Sequence, residues 1–184
     1  MTTPEKVRLR VEDFLLLDQS GAFADYTKTE LIEGEIYVMN AQYSRHAQVK
    51  TDLAFALMQT LAAIASPLRV TIEVATRISD HSLPEPDIVL TSHRGEGVVP
   101  LESVALIVEV SDTTLSIDMG LKLRIYAEAG VPEYWVVDVE GRVIHQMWGP
   151  SDEGYAERRK IGFGAVIEAA TVEGVTVATW GLAT

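Results

Sequence analysis

Apolar residues recur along this chain at two different spacings, and the points where the spacing changes predict its elements. Val11 to Leu17 reads as a short amphipathic helix. Glu30 to Met39 sets Glu33-Gly34-Glu35 between apolar residues, which predicts a hairpin or a bent strand pair. From Ser44 the period lengthens. Ala47, Leu53, Leu57, Leu61 and Ile64 follow helical spacing, and Ser66-Pro67 marks the stop. Leu68 to Ile78 returns to strand alternation, with Val70, Ile72 and Val74 expected on one face.

Leu83-Pro84-Glu85-Pro86 is stiff and extended, because a residue before proline is pushed out of the helical region. Asp87 to Thr91 then predicts a strand, and Val104 to Val110, the most apolar run, a central one. Asp118 to Ala129 has helical spacing, closed by Gly130 with Pro132 beyond. Tyr134 to Val139 and Arg142 to Trp148 form a hairpin around Glu140-Gly141. Tyr155 to Ile161, Val166 to Ala169 and Val175 to Thr179 complete an antiparallel tail. This order predicts an α/β fold of α+β character, a mixed sheet with the two longer helices packed on it.

Composition narrows the possibilities. A chain of 184 residues, 47% hydrophobic, with no repeat or linker, is expected to be one domain over 1–184. It has no cysteine, which excludes disulfides, thiolate nucleophiles and cysteine zinc sites. Met1 to Arg10 lacks the apolar stretch of a leader, and Leu53 to Ala65 is far too short to span a membrane. A soluble, cytoplasmic protein is expected. The net charge of −12 lowers the expectation of nucleic-acid binding, since phosphate-binding proteins usually present a basic face.

Three residues carry candidate chemistry. In Val104 to Ser111 strand alternation sets Ala105, Ile107, Glu109 and Ser111 on one face. A carboxylate in so apolar a strand is costly unless it is paired or metal-bound, or sits at a strand end beside a basic side chain. Asp87, directed by the double proline, is compatible with a metal ligand on a neighbouring strand or with a simple turn aspartate. Lys122 lies one turn after Asp118, which fits either a surface ion pair or an ammonium aimed at the two acidic strands. His46, His81, His93 and His145 stand singly, so a histidine zinc site is not expected.

Four segments together resemble the Uma-type restriction endonucleases, a branch of the PD-(D/E)XK nuclease superfamily. They are Glu30-Leu31-Ile32-Glu33-Gly34-Glu35 with Ser44-Arg45-His46, Pro86-Asp87, Val108-Glu109-Val110-Ser111, and Asp118 through Lys122 to Tyr126, extended by Gly130 to Asp138. The resemblance implies a restriction-endonuclease-like domain in which Asp87, Glu109 and the Val110 carbonyl hold Mg²⁺, with Mn²⁺ as a substitute. Ser111 stands where the superfamily has its lysine, and the resemblance shifts that role to Lys122. It further implies DNA as substrate, a homodimer, and His46 as a water or phosphate contact. Glu33, Glu35 and Asp118 are secondary candidates. The alternatives are a non-catalytic module on the same fold and a hydrolase of small phosphate esters, which suits a charge of −12 better. Tyr134-Trp135 reads as core.

Overall fold

The structure, a computed structural model, describes residues 6–39 and 43–183. Residues 1–5 of the stretch read for a leader lie outside it. Among the described residues no helix is long and apolar enough to cross a membrane.

The chain begins with α1 (Val11–Gln19), followed by β1 (Lys28–Ile32) and β2 (Glu35–Met39). These strands pair antiparallel with Ile32 opposite Glu35, so the turn is Glu33-Gly34 alone. Both turn residues have positive φ, 53° and 80°, as a two-residue turn matching strand twist requires. At Gly34 a Cβ would also stand 2.6 Å from the Arg8 Cβ. The hairpin is tied to the proline segment by backbone bonds between Leu31 and Leu83, and Val11, Phe14, Leu31 and Leu83 form a small satellite core.

The long helix α2 (Ser44–Ala63) buries Val49, Leu53, Ala54, Leu57 and Leu61. Each of the leucines contributes roughly 1.5–3 kcal/mol by leaving water. Ile64, expected on that face, caps the helix instead and is 40% exposed. The expected strand from Leu68 to Ile78 is broken in two, β3 (Arg69–Ile72) and β4 (Thr76–Arg77). Glu73, at φ 49°, turns the chain between them, and Val70 and Val74 therefore pack into different cores.

Next come β5 (Ile88–Thr91), β6 (Val99–Pro100) and the eight-residue β7 (Val104–Ser111). The third helix departs from expectation. It starts as α3 (Leu115–Ile117), widens into a π-helical turn over Asp118–Lys122, and continues as α4 (Leu123–Glu128). Gly130 follows with φ 81°, the left-handed residue that ends the helix. The hairpin β8 (Glu133–Asp138) and β9 (Val143–Ser151) leads to β10 (Gly154–Gly162), then to the small pair β11 (Val166–Glu168) and β12 (Thr176–Ala178).

The central sheet is mixed, in the order β10-β9-β8-β7-β5-β3, with β7 and β8 parallel and the other neighbours antiparallel. Part of the tail thus belongs to the main sheet. Leu106, Val108 and Val110 of β7 face α2 and the β11–β12 pair, while Ile107 faces α4. Glu109 falls on the α4 side by alternation.

Candidate active site

Register sets the two acidic strands against each other. Ile88 of β5 pairs with Val108 of β7. One step further along the same antiparallel register, Asp87 stands across from Glu109. Here the pairing is made by the side chain: Asp87 Oδ2 accepts the Val110 N–H at 2.8 Å. Both carboxylates are buried, 4% and 3% exposed.

Lys122 comes in from the opposite layer. Its Nζ donates to Glu109 Oε1 at 2.9 Å and lies 3.2 and 3.1 Å from the two oxygens of Glu30. The π-helical turn is what aims it. In that wider turn Asp118 and Lys122 both face the sheet, where an extra residue per turn commonly serves a functional site. The turn is pinned at both ends of Asp118. Ser111 and Thr114 hydroxyls donate to its carboxylate at 2.6 Å each, and the Tyr134 hydroxyl donates to its carbonyl at 3.0 Å. One turn on, the Tyr126 hydroxyl donates to Glu109 Oε1 at 2.8 Å.

Helix α2 closes the other side. His46 Nε2 lies 3.3 Å from Asp87 Oδ2, and Lys50, one turn later, lies 3.6 Å from Asp87 Oδ1 and pairs with Glu73. His46 Nδ1 is buried without a hydrogen-bond partner among the described residues.

The electrostatics follow from burial and from crowding of like charge. Burial pushes the Glu109 carboxyl up to about 8, opposed by Lys122 and reinforced by Asp118, Asp87 and Glu30. Burial raises Asp118 as well, against the pull of Lys122 and its two hydroxyl donors. At Asp87 burial acts upward too, but His46, the Val110 N–H and Lys28 hold the carboxyl below its ordinary value. Burial would lower Lys122, and the Glu109, Glu30 and Asp118 carboxylates outweigh it, so the ammonium is held well above its ordinary value.

A divalent cation suits this donor set. Among the described residues no three histidine or carboxylate side chains form a ready cage. Mg²⁺ does not require one, since it takes one or two carboxylates and keeps several waters. Glu109 Oε1 receives both Lys122 and Tyr126, while no donor among the described residues bonds Oε2. Burial first, and then the neighbouring carboxylates, disfavour the charged form of Glu109, which a hard cation beside Oε2 and Asp87 would stabilise.

Asp87, Glu109, Val110, Lys122, His46 and Asp118 therefore converge. Glu33 and Glu35 are engaged elsewhere. Glu33 makes a two-pronged pair with Arg124, at 2.9 and 2.7 Å, and Glu35 is exposed near Lys6. The hairpin residue that does reach the cluster is Glu30, fully buried, which the sequence reading left without a role. Lys28, Lys50 and Tyr126 were also passed over. Tyr126 stands four residues after Lys122, and Lys50 four after His46, so helical spacing from a candidate residue would have flagged both. Asp52, the acidic residue of the first long helix, is exposed. Tyr134 and Trp135 are fully buried core residues. A surface groove of about 390 Å³ is lined by Arg8, Glu33, His81 and Glu128 and does not include this cluster.

Residues 11–180 match the profile of Uma2, a family described as "Putative restriction endonuclease". No curated protein matches the chain. Among solved structures, a chain described as "a putative nuclease belonging to DUF820" from Anabaena variabilis ATCC 29413 superposes with a TM-score of 0.71 at 16% identity. The match covers 95% of this chain and 97% of that one. At this identity the likeness is one of fold.

Proposed function

Because this chain belongs to the Uma2 family, described as "Putative restriction endonuclease", we propose that it is a Mg²⁺-dependent endonuclease hydrolysing DNA phosphodiester bonds. The observation that carries the reading is the meeting of Asp87 and Glu109 from adjacent strands with the Lys122 ammonium at 2.9 Å from Glu109.

Asp87, Glu109 and the Val110 carbonyl would hold Mg²⁺, or Mn²⁺ in its place, which when bound lowers the pKa of a water and polarises the scissile phosphate. The chain's own residues do the rest. Lys122 carries a fixed positive charge to the rim of the acidic pair, where it orients the attacking water and stabilises charge developing on the phosphate. Tyr126 and Lys122 fix the Glu109 carboxylate through Oε1, and Val110 and His46 fix Asp87 through Oδ2. His46 also contacts water or phosphate through this position. A homodimer would present two such sites to the two strands of a duplex.

Nicking of supercoiled plasmid in Mg²⁺ tests the reading. The wild type converts it to open circles, and Glu109→Ala and Lys122→Ala lose that conversion while keeping the native circular dichroism spectrum. Equal rates in all three proteins overturn it. The net charge of −12 favours one second reading, hydrolysis of small phosphate diesters. Turnover of bis(4-nitrophenyl) phosphate with plasmid left intact would select that reading.

A further inference from the structure

We infer that Glu30 is a positioning residue for Lys122, holding its ammonium in place once the Glu109 carboxylate is shared with a cation. The inference rests on the proposed role of Lys122. Lysine is a point charge on a flexible four-carbon stem, so it has no orientation of its own. In this fold two carboxylates supply the orientation. Glu109 Oε1 takes one hydrogen bond at 2.9 Å, and Glu30 straddles the other side with oxygens at 3.2 and 3.1 Å.

The two carboxylates differ in what else they do. Glu109 sits on β7 beside Asp87, and drawing a divalent cation to it would repel Lys122 from that partner. Glu30 comes from β1, in a separate two-stranded sheet. Its Oε1 is itself locked by the Glu85 N–H at 2.9 Å, between Pro84 and Pro86, with Lys28 3.7 Å away. Among the described residues Glu30 Oε2 has no hydrogen-bond partner, and it meets Lys122 by charge alone. A fully buried carboxylate with one oxygen committed to the backbone and the other facing an ammonium cannot swing toward solvent. Glu30 therefore keeps Lys122 where it is when Glu109 turns to a metal.

Glu30→Gln tests this, because it keeps the volume and an acceptor for the Glu85 N–H while removing the charge. Plasmid nicking is expected to fall about 30-fold or more in kcat, with KM within about twofold, as for a contact used in the transition state only. Calorimetry with Mg²⁺ should return an affinity within about threefold of wild type, whereas a metal ligand, or a residue bonded directly to one, would lose about tenfold or more. Separately, protein labelled with ¹⁵N-lysine should show a slowly exchanging Lys122 ammonium resonance, identified by its loss in Lys122→Ala. In Glu30→Gln with Mg²⁺ that resonance is expected to broaden or vanish. An unchanged resonance, nicking at the wild-type rate, or a Mg²⁺ affinity weakened tenfold each overturns the inference. A wild type that cuts nothing overturns the nuclease reading, and the resonance still decides for or against Glu30.

Discussion

The Asp87 carboxylate accepts the backbone N–H of Val110 at 2.8 Å, and so a side chain continues the ladder where β5 and β7 stop pairing through their backbones. That bond fixes one oxygen and leaves Oδ1, 3.6 Å from Lys50, on the other side. Asn in this place can still accept the Val110 N–H but carries no charge.

Asp87→Asn is therefore expected to fold normally and to bind Mn²⁺ at least about tenfold more weakly in calorimetry, since losing even an outer-shell partner of a metal costs about that much. Native-like melting with unchanged Mn²⁺ affinity would remove Asp87 from the metal site.

Lys122→Met separates function from stability. The variant leaves Glu30 and Glu109 buried without their shared cation, which costs about 3 kcal/mol or more in urea unfolding when one partner of a buried pair is lost. Adding Glu109→Gln removes one of the stranded carboxyls and should recover part of that loss. Nicking stays absent in both. A double variant less stable than Lys122→Met would contradict the charge pattern described for this cluster.

The shifted Glu109 carboxyl makes the metal-free protein sensitive to alkali. Its folded value of about 8 lies above the ordinary 4.5, so the folded chain binds the proton more tightly than the unfolded one. The stability it lends is complete below the ordinary value and is lost as pH rises to about 8, with a limiting slope of about 1.4 kcal/mol per pH unit. Thermal melts from pH 5 to pH 8.5 should show the wild type losing more than Glu109→Gln, and saturating Mg²⁺ should narrow the gap. Parallel curves for the two metal-free proteins would contradict the shift.

A second buried acid serves the fold. Glu133 takes the Trp135 indole N–H and the Gln146 amide at 2.6 Å each on Oε1, and the Thr171 backbone N–H and hydroxyl at 2.8 and 2.9 Å on Oε2. It clips the loop before β12 to the sheet. Glu133→Ala strands four donors, and at about 1 kcal/mol for each it should lower stability by roughly 4 kcal/mol in urea unfolding, with nicking per folded molecule unchanged. A loss under about 0.5 kcal/mol would show that the clip contributes nothing.

How far the chain could be read from its sequence depended on whether burial followed a period. Glu109 was legible because a carboxylate inside Val104–Val110 breaks an apolar run on a known face. Glu30 was not, because β1 buries Glu30, Leu31 and Ile32 in succession, and no alternation distinguishes Glu30 from Glu33 and Glu35. The hairpin packs against the proline segment on one side and Lys122 on the other, a relation between parts of the chain far apart in sequence. Likewise Lys122 was singled out by the family resemblance, since its place after Asp118 fits a surface ion pair equally well, while the π-helical turn that aims it leaves no mark except Gly120 within an apolar stretch. The strand expected from Leu68 to Ile78 failed at Glu73, whose positive φ no propensity foretells, and that break is what brings Glu73 to Lys50.

The most direct test of the site is a crystal soaked in Mn²⁺ and measured at the manganese absorption edge. One anomalous peak within about 2.5 Å of oxygens from both Asp87 and Glu109, with the Lys122 ammonium still against Glu30, is the expected result. Saturating Mn²⁺ with no peak between these two carboxylates, or a peak bound elsewhere on the chain, would contradict a metal-dependent nuclease site built on Asp87, Glu109 and Lys122.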